Sequence, residues 1–159
     1  MLRGFFKNNC PYIRITVVGS LDSREIDVLV DTGFNGYLTL PEQIAKELGL
    51  ESTGVIGSST IADGSSSPYM DFRGKVLCND KRVVTDIEVQ PNCKILLGMS
   101  LLKALGLNLF IDLDAERIEL NQSQVNNHGL TPRGITTQTD GLLSQTTSLF
   151  DRYHHCLVA

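Results

Sequence analysis

The sequence predicts a small all-β domain, and three observations carry that prediction. Short runs rich in Val, Ile and Thr recur along residues 1–120, the composition that suits a pleated, half-buried strand. Clusters of Gly, Ser, Asn and Asp separate those runs and supply turn chemistry. Helical spacing followed by a glycine stop occurs only in two brief stretches.

In chain order, Tyr12 to Val18 alternates and is β-branched, and Gly19 to Ser23 turns the chain into a second strand, Glu25 to Val30. That strand ends apolar and leads directly into Asp31-Thr32-Gly33. Phe34-Asn35-Gly36 reads as a turn and Tyr37 to Leu40 as a strand. Pro41 opens a short helix in which Ile44 and Leu48 lie four apart and Gly49 is the stop. Val55 to Val76 is rich in Gly and Ser and reads as a long hairpin turning at Ala62-Asp63-Gly64-Ser65. Arg82 to Val89 is a strand, and Ile95-Leu96-Leu97-Gly98 is a buried strand broken at glycine. Ser100 is placed to cap a short helix ending at Gly106. Leu109 to Leu113 and Arg117 to Leu120 form a closing hairpin. Residues 121–159 change to Asn, Gln, Thr, Ser and Gly, too polar to offset the entropy of ordering, so the reading is one domain over 1–120 and a polar tail, disordered or ordered by a partner.

The whole chain has 159 residues, 42% of them apolar, which suits one core and is cramped for two. Its net charge of -4 supplies no basic face, so no nucleic-acid partner is expected. The N-terminus has no apolar run of signal-peptide length, and Ile95 to Ile111 is short of a membrane span and broken by Ser100, Lys103 and Asn108. The expectation is a cytoplasmic chain with no membrane partner. Cys10, Cys78, Cys93 and Cys156 have no Cys-x-x-Cys spacing, so free thiols are expected, and the His154-His155-Cys156 cluster has no second ligand pair. No metal and no cofactor is expected.

The chemistry centres on Asp31. An apolar strand that ends in a carboxylate holds it partly out of water, a costly place unless the charge is shared or used. Val28-Leu29-Val30-Asp31-Thr32-Gly33, the glycine-rich Ile56 to Arg73 region and Ile95-Leu96-Leu97-Gly98-Met99-Ser100-Leu101-Leu102 follow one another in an order that resembles the retropepsin-like aspartic proteases. The resemblance spans roughly Tyr12 to Leu120. It implies an acid-protease half or closed barrel with a flap hairpin and one or two short helices.

It also implies an aspartic endopeptidase that works as a homodimer on peptide or protein substrates. Two Asp31 carboxylates, one from each copy, would share a proton, and one would act as base on a water while the other protonates the carbonyl. Thr32 would brace the paired loops, Gly33 would permit the turn, and Gly98 would support the site from behind. Phe34 and Asn35 would line the groove, with Ile61, Ala62, Asp63 and Gly64 at the flap tip above the peptide. Phe34 stands where gastric enzymes of this type carry a hydroxyl, so one hydrogen bond to the ionised pair is missing and the pH optimum is expected above theirs. Two alternatives stay open. Asp63, Asp112 or Asp114 would serve as a second carboxylate within one chain, or the fold would act as a non-catalytic dimerisation or peptide-binding module. A serine or cysteine triad is disfavoured because His128, His154 and His155 all lie in the tail.

Overall fold

In the computed structural model, which describes residues 2–60 and 64–122, the chain opens on two short strands that the strand pattern alone did not disclose. These are Leu2–Arg3 (β1) and Phe5–Lys7 (β2). Asn8 and Asn9 follow with φ of 52° and 59°. Positive φ at both central residues is what a two-residue hairpin turn needs, and Asn tolerates it. The turn folds β2 back on Cys10–Val18 (β3), pairing Lys7 with Cys10 and Phe5 with Tyr12.

β3 runs antiparallel to Ser23–Val30 (β4). Ile13, Ile15, Val17, Ile26 and Val28 all turn into the core, as period-two alternation requires. The turn between β3 and β4 docks on the end of a helix. Leu21 and Asp22 donate backbone N–H groups to Leu48 O, and the Ser20 hydroxyl donates to Gly49 O at 2.6 Å. Carbonyls at a helix end need such donors because the helix itself has none left. That helix, Glu42–Leu48 (α1), follows Thr39–Pro41 (β5) and stops at Gly49, whose φ of 68° is left-handed.

Three long strands come next: Glu51–Thr60 (β6), Ser66–Cys78 (β7) and Lys81–Gln90 (β8). β7 pairs with β6 on one side and β8 on the other, so the expected long hairpin is present with its arms extended at both ends. A register shift lies between Ser52 and Ile56, beside Gly54 at φ 78°, which breaks the ladder locally. The residues expected at its tip, Ile61, Ala62 and Asp63, lie outside the described residues, as does the tail from 123 onward. Gly64 is described and carries φ 83°.

Leu96–Leu97 (β9), Met99–Leu105 (α2), Leu107–Asp112 (β10) and Arg117–Gln122 (β11) complete the fold. The strands form an eight-stranded sheet along the path β5-β8-β7-β3-β4-β9, with β2 and β6 as branches, and a three-stranded sheet β1-β11-β10. The all-β expectation holds, but the path does not close into a barrel: β9 is only two residues long and ends the row beside β4. One apolar core joins both sheets and both helices, from Ile13 and Val28 to Leu101, Ile118 and Leu120. Cys78 and Cys93 are free thiols. Burial, with Asp80 nearby, pushes the Cys78 thiol up to about 11, so it stays protonated and inert. Cys10 departs from the free-thiol expectation and is disulfide-bonded.

Leu97 is fully buried and is the only apolar anchor of β9 against β4 that the core encloses completely. Leu97→Ala is expected to lower the unfolding free energy by about 2 to 4 kcal/mol, read from the urea midpoint. A change below about 0.5 kcal/mol would show that β9 is not held by core packing.

Candidate functional site

Asp31 sits immediately past the last residue of β4, where β4 meets β9 in parallel with Leu29 opposite Leu96 and Val30 opposite Leu97. Leu29 N donates to Ile95 O and Asp31 N to Leu97 O, both at 3.0 Å. The strand pair thus carries the carboxylate to its end and then stops. The chain reverses at once: Phe34 N donates to Asp31 O at 3.2 Å, and Gly33 N donates to Asp31 Oδ1 at 2.9 Å. A backbone N–H donated to a carboxylate oxygen fixes the direction of the side chain.

The rest of the loop is held from behind. Met99 N donates to Phe34 O at 2.9 Å, the Ser100 hydroxyl to Asn35 O at 2.6 Å, Ser100 N to Gly36 O at 3.2 Å and Gly98 N to Tyr37 O at 3.0 Å. Glu88 N donates to Leu38 O at 2.9 Å. Five consecutive carbonyls therefore find donors from two other segments. Leu38 also bridges Leu97 directly.

Ser100 does not cap α2 as its position in the sequence suggested. Gly98 occupies the cap position and Ser100 lies inside the helix, its hydroxyl spent on the Asp31 loop. Thr39 is a second residue the sequence did not single out. It is only 4% exposed, and its hydroxyl donates to Lys94 O at 2.5 Å while accepting from Leu96 N at 2.9 Å. A buried threonine on a strand gives no sign in sequence that its partner lies 55 residues away.

Gly98 stands where the resemblance placed a supporting glycine, and the geometry supplies a reason. A Cβ there would collide with Gly36 O and come within 2.6 Å of Phe34 Cδ1. Phe34 explains a second glycine. Its ring lies across both positions, so that a Cβ on Gly36 would collide with the ring edge and approach Glu88 Oε1 to 2.6 Å. The bulk that Phe34 brings to the loop is thus absorbed by two glycines. Asn35 is exposed at the turn. Thr32 lines a cavity of about 540 Å³ together with Met99, Leu102 and Lys103 of α2 and Leu107 to Leu109 of β10.

Of the internal alternatives to a second Asp31, Asp112 is committed to the β10–β11 turn, where Oδ1 accepts from Ala115 N and Oδ2 from Arg117. Asp114 belongs to that same turn, and Asp63 lies outside the described residues. Among the described residues no group of three or more His, Cys, Asp or Glu side chains is placed to hold a metal ion. Nor is any described helix long and apolar enough to cross a membrane.

The arms of the β6–β7 hairpin present Ile56 (73% exposed), Val55 and Met70 outward. They are tied to β8 by Gln90, which accepts from the Ser67 hydroxyl at 3.2 Å and donates to the Ser59 hydroxyl at 3.3 Å.

The fold is similar to that of the EIAV protease complexed with the inhibitor HBY-793, with a TM-score of 0.50 and 18% sequence identity over 64% of this chain and 93% of that one. At that identity the likeness shows a shared retropepsin-like fold. No family model matches the sequence, and no curated protein matches it.

Glu88 is the ionisable group most displaced beside the Asp31 loop. Burial, with Asp71 across the strand pair, pushes its carboxyl up to about 6 from an ordinary 4.5. A carboxyl whose folded pKa exceeds its unfolded one binds its proton more tightly when folded, so stability falls as pH rises from about 4.5 through about 6 and stays lower above. Glu88→Gln is therefore expected to raise the unfolding free energy by about 1 kcal/mol at pH 8 and to change it little at pH 4. Equal effects at both pH values, measured by chemical denaturation, would show that the ionised carboxylate carries no cost.

Proposed function

We propose that the chain is an aspartic endopeptidase active as a homodimer, in which the two Asp31 carboxylates activate a water for attack on a peptide carbonyl. The observation that carries this reading is the setting of Asp31. It is half-buried at the end of an apolar strand pair, its Oδ1 fixed by Gly33 N, on a loop whose carbonyls are held by Gly98, Met99 and Ser100. So much backbone order around one carboxylate suits a group that must keep its position within a fraction of an ångström.

One such carboxylate is half of the required chemistry. Two carboxylates held close share one proton, so that the ionised member takes a proton from water while the protonated member gives one to the carbonyl oxygen. In this reading Thr32 and Gly33 face the same residues of a second copy across a two-fold axis, an isologous contact. The cavity beside Thr32 and the exposed Met99 lie on that side of the loop and support placing the contact there. Phe34, Asn35 and the arms of the β6–β7 hairpin border the groove, with Ile61 to Gly64 at the flap tip. The retropepsin-like fold supports the same reading, because the neighbour named above is a protease.

The test is cleavage of a mixed peptide library between pH 3 and 8 by the wild-type chain and by Asp31→Asn, with particle mass measured in the same buffer. Cleavage by a particle of twice the chain mass is expected, lost by a factor of at least about 1000 in the variant, with an optimum above pH 4. A confirmed dimer that cleaves nothing at any pH would favour a peptide-binding module instead. An optimum at about pH 2 to 3 would contradict the role given to Phe34.

A further inference from the structure

Beside the Asp31 loop lies a carboxylate that the proposed reaction does not use. Glu88 lies on the face of β8 turned away from the core residues Ile87 and Val89. Its backbone ties it to Leu38, and its Oε1 occupies the space that the missing side chain of Gly36 leaves beside the Phe34 ring. It therefore borders the chain three to five residues beyond Asp31. Its Oε2 is buried and accepts no hydrogen bond from any described residue. Buried carboxylate oxygens are normally satisfied, and one that is not marks a place where a donor fits.

The groups that face Glu88 sharpen the choice of donor. From β7 come Asp71 and Tyr69, and from the β8–β9 connection Cys93. Each is an acid, charged or neutral, and Arg73, the cation on the same face of β7, is paired with Asp86 at 2.9 Å. Asp71 is itself raised by burial and by Asp86, so the patch holds negative charge under strain. An aromatic ring completes it, and a cation placed against a ring and a half-buried carboxylate gains from both.

The geometry points to Glu88 as a specificity-determining residue, which with the Phe34 ring selects peptides carrying Lys or Arg in the subsite beside Gly36. This rests on the reading of Asp31 as half of a peptide-cleaving site and adds the side chain that the groove selects. With its carboxyl at about 6, Glu88 is charged at neutral pH and mostly neutral at pH 5, so the selection belongs to neutral solution. The carboxylate that lowers stability above that range is the one that a basic substrate would satisfy, a division between stability and function common at binding sites.

Paired fluorescent peptides that differ only by Lys or norleucine, scanned through each position, provide the test. Their binding to the Asp31→Asn chain, with and without Glu88→Gln, is followed by anisotropy, and their cleavage by the chain with Asp31 intact is followed in parallel, at pH 7.5 and 5. At one position the Lys peptide is expected to bind about tenfold better than its twin at pH 7.5. That ratio falls to about one with Glu88→Gln, and falls likewise at pH 5. A ratio near one at every position, or one that survives Glu88→Gln, overturns the inference. A Glu88-dependent ratio in binding without any cleavage supports the subsite and sinks the peptidase reading. Asp31-dependent cleavage without the ratio does the reverse.

Discussion

Backbone carbonyls in the Asp31 loop must find donors, and the rest of the structure is arranged around that requirement. Carbonyls 34 to 38 follow one another through a tight reversal before β5 takes up its ladder with β8 at Thr39. Unpaired and buried, each would cost free energy comparable to a lost hydrogen bond. The supply comes from the turn at Gly98, Met99 and Ser100 and from Glu88 of β8. β9 is short because it has only to place Leu97 and Gly98. α2 begins where it does because its first residues have N–H groups that the helix leaves free, and two of them are spent on this loop.

Packing follows from the same contact. The backbone of residue 98 must approach Gly36 O closely, so residue 98 carries no side chain, and the Phe34 ring then lies across the two glycines. Phe34, Gly36 and Gly98 make one unit in which a bulky residue is accommodated by two empty positions. Glu88 enters this unit twice, as a backbone donor to Leu38 and as a carboxylate beside Gly36. Any change at Phe34 would thus reach the loop and the acid at its side together.

Much of the fold was legible because it rests on local chemistry. Alternation in Tyr12 to Val18 and Arg82 to Val89 gave strands, and Pro41 and Gly49 bounded α1 in the right places. The Asp31 triplet and Gly98 were legible as a pair through the order of motifs. What escaped depends on partners far apart in sequence. Ser100 before an apolar run has the form of a helix cap, yet its hydroxyl crosses to Asn35. Thr39 looks like any β-branched strand residue, and its two hydrogen bonds lie near residue 95. Glu88 alternates with Ile87 and Val89 as a solvent-facing residue would, yet it is half-buried beside Gly36. β1 and β2 escaped for a different reason: the Asn8-Asn9 turn was there to be read, but the runs on either side of it are too short to show a period.

In the proposed dimer a working site needs one Asp31 from each of two chains, and subunit mixing separates that arrangement from a site complete within one chain. Wild-type and Asp31→Asn chains are dissociated, mixed at fixed total concentration, reassociated and assayed for cleavage. With half of the chains mutant, a shared site predicts activity near a quarter of the unmixed value, about the fraction of all-wild-type pairs. Activity near a half, falling in proportion to the wild-type fraction, would rule out the shared site and place a complete site within each chain.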